Sequence, residues 1–286
     1  MIQYPHLAQR MFNVPLAILP QKAEVVMAAL ADRFGIAKLF RANGESVALS
    51  DWDMDDEPAP YRPYEVVNGI AIIPVTGTLV QKLGTMRPYS GMTGYDGLRA
   101  NFSLALADDE VDAIVLDIDS PGGEVAGCFD LADDIYRARG EKPLKAILTE
   151  NAFSAAYALA SACDNIYVPR TGGTGSVGVI CMHTDLSRAL DKAGITVTII
   201  QYGARKADGN DVSPLTNTAL DRFQSDVDAM GELFVDTVAR NRRLTTKAVR
   251  NTQASTFLGA KGVEIGFADA VMAPQEAMAS LLAELG

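Results

Sequence analysis

Short, almost wholly apolar runs rich in Val, Ile and Leu recur along the chain and alternate with stretches of helical spacing. The runs cover residues 66–75, 113–118, 144–148, 165–168 and 195–200. Helical spacing is found between them at 97–107, 125–137, 154–162 and 186–193. Strands that alternate with helices need crossover connections, and these build a mostly parallel sheet. A run such as Ala113-Ile114-Val115-Leu116 has no polar face, as expected where helices cover both sides of the sheet. The expected class is therefore α/β.

The ends of the chain read differently. Ala23, Met27, Leu30 and Phe34 recur at helical spacing, which predicts a small helical N-terminal segment. The stretch Asp51-Trp52-Asp53-Met54-Asp55-Asp56-Glu57-Pro58-Ala59-Pro60 is acidic and proline-broken, as linkers are. The expected organisation is a segment with linker over 1–60 and one main domain over 61–286. After Thr216, the residues Leu220, Phe223, Val227, Met230, Phe234 and Val238 step by three or four. They predict a long amphipathic helix whose stripe faces the core or a neighbouring subunit. Residues 257–271 read as strand, short helix, strand.

Composition narrows the functional classes. A formal net charge of −11 disfavours binding to phosphate backbones, so nucleic acid is not an expected partner. The three cysteines, Cys128, Cys163 and Cys181, show no C-x-x-C spacing, which predicts reduced thiols and neither a zinc site nor a disulfide framework. No apolar run reaches the roughly 18 residues of a membrane helix, and 11–19 is too short for one, so no membrane anchor and a cytoplasmic location are expected.

Two motifs could carry chemistry. Asp119-Ser120-Pro121-Gly122-Gly123 follows the second run, and a Gly pair there lets the backbone approach a ligand and aim N–H groups at an oxyanion. It could equally be a tight turn. No phosphate-binding pattern of the Walker or dinucleotide type is present. Ser154, in Glu150-Asn151-Ala152-Phe153-Ser154-Ala155-Ala156-Tyr157, opens a small-residue helix, either as an ordinary N-cap or as a nucleophile beside free N–H groups. A nucleophilic serine needs a base. His6 and His183 are the two histidines of the chain and are poorly placed for a triad, which leaves lysine, in a Ser–Lys arrangement. Residue type does not single out Lys206 from the other lysines.

The stretches DIDSPGGEVAG, ENAFSAAYALAS, TGGTGSVGVI and YGARKADGNDVSPLT, in that order, resemble the signal peptide peptidase A-like serine peptidases. With HLAQRMFNVPLAILP, VVNGIAIIPVTGTLV, PYSGMTGYDG, LFVDTVARNRRL and Ala254-Ser255-Thr256-Phe257-Leu258-Gly259, the likeness extends over about residues 5–275. It is closest in character to the phage branch, the capsid-assembly proteases of lambdoid phages. The resemblance implies a crotonase/Clp-protease-like fold with repeated β-β-α and βα units. It implies Ser154 as nucleophile, Lys206 as general base and Ser176 as the serine that orients the lysine. It assigns the oxyanion hole to Gly122 and Gly123, with the Ala155 N–H as a second donor. No metal or cofactor is implied.

By the same resemblance, the expected substrates are scaffold and portal proteins and the chain itself, cut during head maturation by a homo-oligomer in the host cytoplasm or inside the procapsid. The alternatives are a soluble bacterial peptidase of the same family, a vestigial assembly protein, and a crotonase-type acyl-CoA enzyme. The sequence departs from many relatives in having Ala155-Ala156 where they carry Gly-Gly after the nucleophile. A narrower pocket and a preference for small side chains beside the cut are expected from that change. Phage relatives often continue into a scaffold segment, which is not expected of the residues up to Leu285-Gly286.

Overall fold

The computed structural model describes residues 15–18 and 62–286. The helical stripe expected at Ala23 to Phe34 and the acidic linker at 51–60 lie outside the described residues, as does the proposed boundary at 60/61. The strands are β1 (Leu16–Ile18), β2 (Glu65–Val67), β3 (Ile70–Val80), β4 (Met92–Gly94), β5 (Ala113–Glu124), β6 (Leu144–Phe153), β7 (Asn165–Val168), β8 (Gly173–Gly175), β9 (Thr256–Leu258) and β10 (Ala270–Val271). The helices are α1 (Tyr95–Ala107), α2 (Cys128–Arg137), α3 (Ala155–Ser161), α4 (Ser187–Lys192), α5 (Asn217–Arg242), α6 (Thr246–Arg250), α7 (Ala260–Glu264) and α8 (Pro274–Leu285).

The central sheet runs β10-β7-β6-β5-β3-β2. All neighbours on this path are parallel except β2 and β3, which form an antiparallel hairpin around Asn68-Gly69. This is the α/β architecture with a mostly parallel sheet that the apolar runs predict. The pleat sorts β5 by alternate residues: Ile114, Leu116 and Ile118 enter the large core under α1, α2, α3 and α5, while Ala113 and Val115 enter a second cluster with Ala277 and Leu281 of α8. Because both faces of β5 are covered, its run has no polar side.

Three expectations change. Leu16–Ile18, in the segment read as helical, is a strand that pairs antiparallel with the end of β5. Gly122 and Gly123 sit within β5 instead of in a loop after it. The run at 195–200 is not a strand: Ile195, Val197, Ile199 and Ile200 are 51%, 47%, 42% and 94% exposed. Its alternation with Thr196 and Thr198 has strand character, but no neighbouring edge among the described residues offers it a ladder. A backbone without that partner gains nothing from extended geometry.

The stripe of α5 also divides. Thr216 caps the helix, its Oγ1 accepting the Ala219 N–H at 3.2 Å. Phe234 and Val238, in the second half, are fully buried. Leu220, in the first half, is exposed, and Phe223 and Val227 are half-buried.

Candidate active site

β6 pairs with β5 as far as Ser120 opposite Ala152, then turns away through Phe153 to Ser154. Ser154 has φ 54° and ψ −122°, left-handed backbone that is strained for any residue with a Cβ. The chain reverses there from strand into α3, whose residues are all buried. The Ser154 N–H donates to the Gly175 carbonyl at 2.8 Å, and the Ser154 carbonyl accepts from Ala158 at 3.0 Å. These bonds hold the serine in its strained turn. Its Oγ is buried and has no hydrogen-bond partner among the described residues. An unpaired buried hydroxyl costs about 1 to 3 kcal/mol. Left-handed strain and an orphaned hydroxyl at one residue together mark a position built for something other than stability.

Gly122 lies against this serine. A methyl group on Gly122, where φ is +99°, would stand 2.9 Å from Ser154 Cβ and 2.4 Å from the Ala17 carbonyl oxygen. Gly123 is equally tight, since a methyl there would fall 1.8 Å from the Leu79 carbonyl oxygen. The Gly pair is therefore required by close packing. The Gly122 N–H donates to Ser120 Oγ at 3.2 Å, and Ser120 Oγ donates to the Gly77 carbonyl at 2.6 Å. Ser120 thus holds the amide expected to serve an oxyanion. It was not singled out from the sequence, although it lies between Asp119 and the conformationally fixed Pro121.

Ser176 follows the glycine that binds the Ser154 amide. It is 6% exposed, has φ 56°, and donates its N–H to the Ser255 carbonyl at 2.9 Å. The fold therefore brings together Ser154, Ala155, Gly122, Gly123 and the Gly175-Ser176 turn. It does not bring Lys206 to them. Lys206 is exposed in the segment that follows residues 195–200, and its N–H donates to the Gly203 carbonyl at 3.1 Å. His183 is half-buried just ahead of the Asp185 turn, in which the Ser187 N–H donates to Asp185 Oδ1 at 2.8 Å. β1 also borders the site, and its three residues were not among the expected site residues.

Among the described residues, no group of three or more His, Cys, Asp or Glu could hold a metal ion. No helix among them is long and apolar enough to cross a membrane.

Over 288 residues the chain is 42% identical to the head-tail preconnector protein GP5 of Enterobacteria phage P21, covering 98% of this chain and 57% of that protein. It is 40% identical over 282 residues to the capsid assembly protease C of Escherichia phage lambda, covering 96% of this chain and 64% of the relative. The chain thus spans less than two thirds of the length of either phage protein. Protease 4 of Haemophilus influenzae is more distant, at 26% identity over 77% of this chain and 35% of its own length. Among solved structures, a ClpP1 mutant from Listeria monocytogenes aligns with a TM-score of 0.43 and 11% identity, covering 70% of this chain and 90% of its own. Residues 137–286, which include Ser154, Ser176 and Lys206, match the description of peptidase family S49. The chain belongs to peptidase family S49.

Proposed function

We propose that the chain is a serine endopeptidase that uses Ser154 and Lys206 to process phage head proteins. The observation that carries this reading is Ser154 itself: a strained, buried serine whose Oγ has no partner among the described residues, packed against Gly122. Lys206 takes the Ser154 proton as Oγ attacks the scissile carbonyl. The oxyanion is held by the amides of Gly122 and Ala155, the first freed from Ser120. Lys206 then protonates the leaving amine, and the acyl-enzyme is hydrolysed when Lys206 activates water. Ser176 orients the lysine. One such backbone donor contributes about 3 kcal/mol of transition-state stabilisation. No cofactor takes part.

A lysine must be neutral to act as a base, and burial lowers its pKa. Lys206 is in solvent beside Ile200 and Tyr202, which are 94% and 100% exposed. Burial of this apolar strip in a homo-oligomer removes Lys206 from water, so assembly and activation are one event in this reading. A relative named a capsid assembly protease supports substrates among head proteins; in this reading they are scaffold and portal proteins and the chain itself, cut in the host cytoplasm or within the procapsid.

The test compares the wild-type chain with Ser154→Ala and Lys206→Ala on the scaffold and portal proteins of the phage or prophage that carries it. Discrete cuts by the wild type and none by either variant are expected. Equal cutting by Ser154→Ala would falsify the assignment. Binding of scaffold without cleavage by any of the three would put an assembly role in its place.

A further inference from the structure

Once β6 has turned away to Ser154, the edge of β5 at Gly122–Glu124 would be bare next to the serine. β1 fills that edge. Leu16, Ala17 and Ile18 pair antiparallel with Glu124, Gly123 and Gly122. On its other side, Leu16 exchanges two hydrogen bonds with Ile180, N–H to carbonyl in each direction at 2.9 Å. An extended segment held by main-chain bonds on both sides, between two edges that have no other partners there among the described residues, is the geometry of peptide recognition by strand addition.

The side chains of β1 alternate as in a bound peptide. Leu16 and Ile18 pack on Ile180 and Met182 in a small cluster separate from the main core. Ala17 points the other way, is fully buried, and belongs to the main core. A methyl on Gly122 would touch the Ala17 carbonyl oxygen and Ser154 Cβ together, at 2.4 and 2.9 Å, so that carbonyl adjoins the nucleophile. The small cluster holds Leu16 and Ile18 to a few residues, and Ala17 gives the main core a single methyl group, so departure of β1 removes little of the packing behind it.

We propose that β1 occupies the slot between Gly122–Glu124 and Ile180, where an extended peptide substrate lies, as a pseudosubstrate that holds the enzyme off. A small side chain is taken at the Ala17 position, flanked by aliphatic residues at the places of Leu16 and Ile18. This rests on the reading of Ser154 as nucleophile, which it supplements with a specificity and a brake. With Lys206 in solvent, the strand is bound but not attacked. Full activity then requires displacement of β1 as well as burial of Lys206.

The test is a binding experiment in a Ser154→Ala background, so that turnover plays no part. The probe is a fluorescent peptide with the sequence of residues 14–20, titrated by anisotropy. Ala17→Arg places a large cation where a methyl is buried and should expel β1. Leu16→Pro removes the donor to Ile180 and leaves Ala17 intact. Each is expected to bind the probe at least about tenfold more tightly than the parent, because an occupied slot lowers apparent affinity by the fraction of chain in which it is open. Thermal melts identify a variant that fails to fold, in which case the other decides. Equal binding by the parent and a folded variant overturns the proposal. If the folded variants bind more tightly while their Ser154 counterparts cut nothing even when assembled into an oligomer that buries residues 200–206, the slot stands and the peptidase reading fails. Cleavage at the wild-type rate by both Ser154 counterparts, without tighter probe binding, leaves the peptidase reading and removes the brake.

Discussion

The Ser154 amide donates to the Gly175 carbonyl at 2.8 Å, so the turn that carries Ser176 also pins the backbone of Ser154. Both serines have positive φ, 54° and 56°. Each end of this link is strained, and each supports the other.

Replacing Ser154 should therefore stabilise the chain while abolishing peptide cleavage. Ser154→Ala removes the orphaned hydroxyl and keeps the backbone strain, for a gain of about 1 kcal/mol. Ser154→Gly relieves the strain as well, although a more flexible unfolded chain offsets part of that. Thermal unfolding should show Tm rising by roughly 2 to 4 °C per kcal/mol gained for a domain of this size. A lower Tm for both variants would show that Ser154 is a structural cap.

The elements legible in the sequence were those long enough to show a pattern and covered on both faces. The run at 113–116 is apolar throughout because helices flank the sheet on each side. β1 was not legible: three residues carry no period, and their partner Gly123 lies far along the chain. Residues 195–200 have the period of a strand, but period alone does not supply a second edge. Ser154 and the Gly pair stood out as motifs, whereas the place of Lys206 depends on packing that spacing does not encode. The role of Ser120 was hidden because a buried serine and an exposed one look alike in sequence.

The three thiols should differ in reactivity. Burial pushes the Cys128 and Cys163 thiols up to about 12. Only the thiolate attacks a disulfide reagent, so both should be inert in the native state at pH 8. Cys181 is partly exposed, and its partial burial raises the thiol's pKa. Titration with an aromatic disulfide reagent should modify Cys181 first, with the other two reacting only on unfolding. Rapid native modification of all three would show that α2 and α3 open readily.

Acid should weaken the join between residues 62–64 and the end of α1. Arg62 Nε donates to Asp108 Oδ2 at 2.6 Å, and its second nitrogen donates to Oδ1 at 3.1 Å. This pairing, with the Glu110 amide next, holds the Asp108 carboxyl down to about 2. A carboxyl whose pKa is lower in the folded than in the unfolded state stabilises above its unfolded value of about 3.9. That contribution should fade as pH falls from about 4 through 2. Asp108→Asn should unfold more readily at neutral pH yet lose less stability than wild type across that window, as measured by denaturant titration at each pH. Parallel losses would show that the pair adds nothing.

Arg139 tests how firmly the helix opened by Ser154 is anchored from behind. It donates to the carbonyls of Ala162, Ser161 and Cys163, at 2.7, 2.9 and 2.5 Å, and to that of Asn241 at 3.2 Å. The first three carbonyls end α3, where a helix has no internal donors left, and the fourth ties α3 to α5. Arg139→Met keeps much of the side-chain volume but leaves these acceptors unpaired, at a cost of about 2 to 4 kcal/mol from the loss of charged hydrogen bonds. Arg139→Lys cannot present the planar fork and should recover only part of that loss. Because Ser154 opens the same seven-residue helix, Arg139→Met should also lower kcat with little change in KM, while a surface control such as Arg137→Met should do neither. A wild-type melting curve for Arg139→Met would mean that water satisfies those carbonyls, and that the β6 to α3 turn holds Ser154 without support from the far end of the helix.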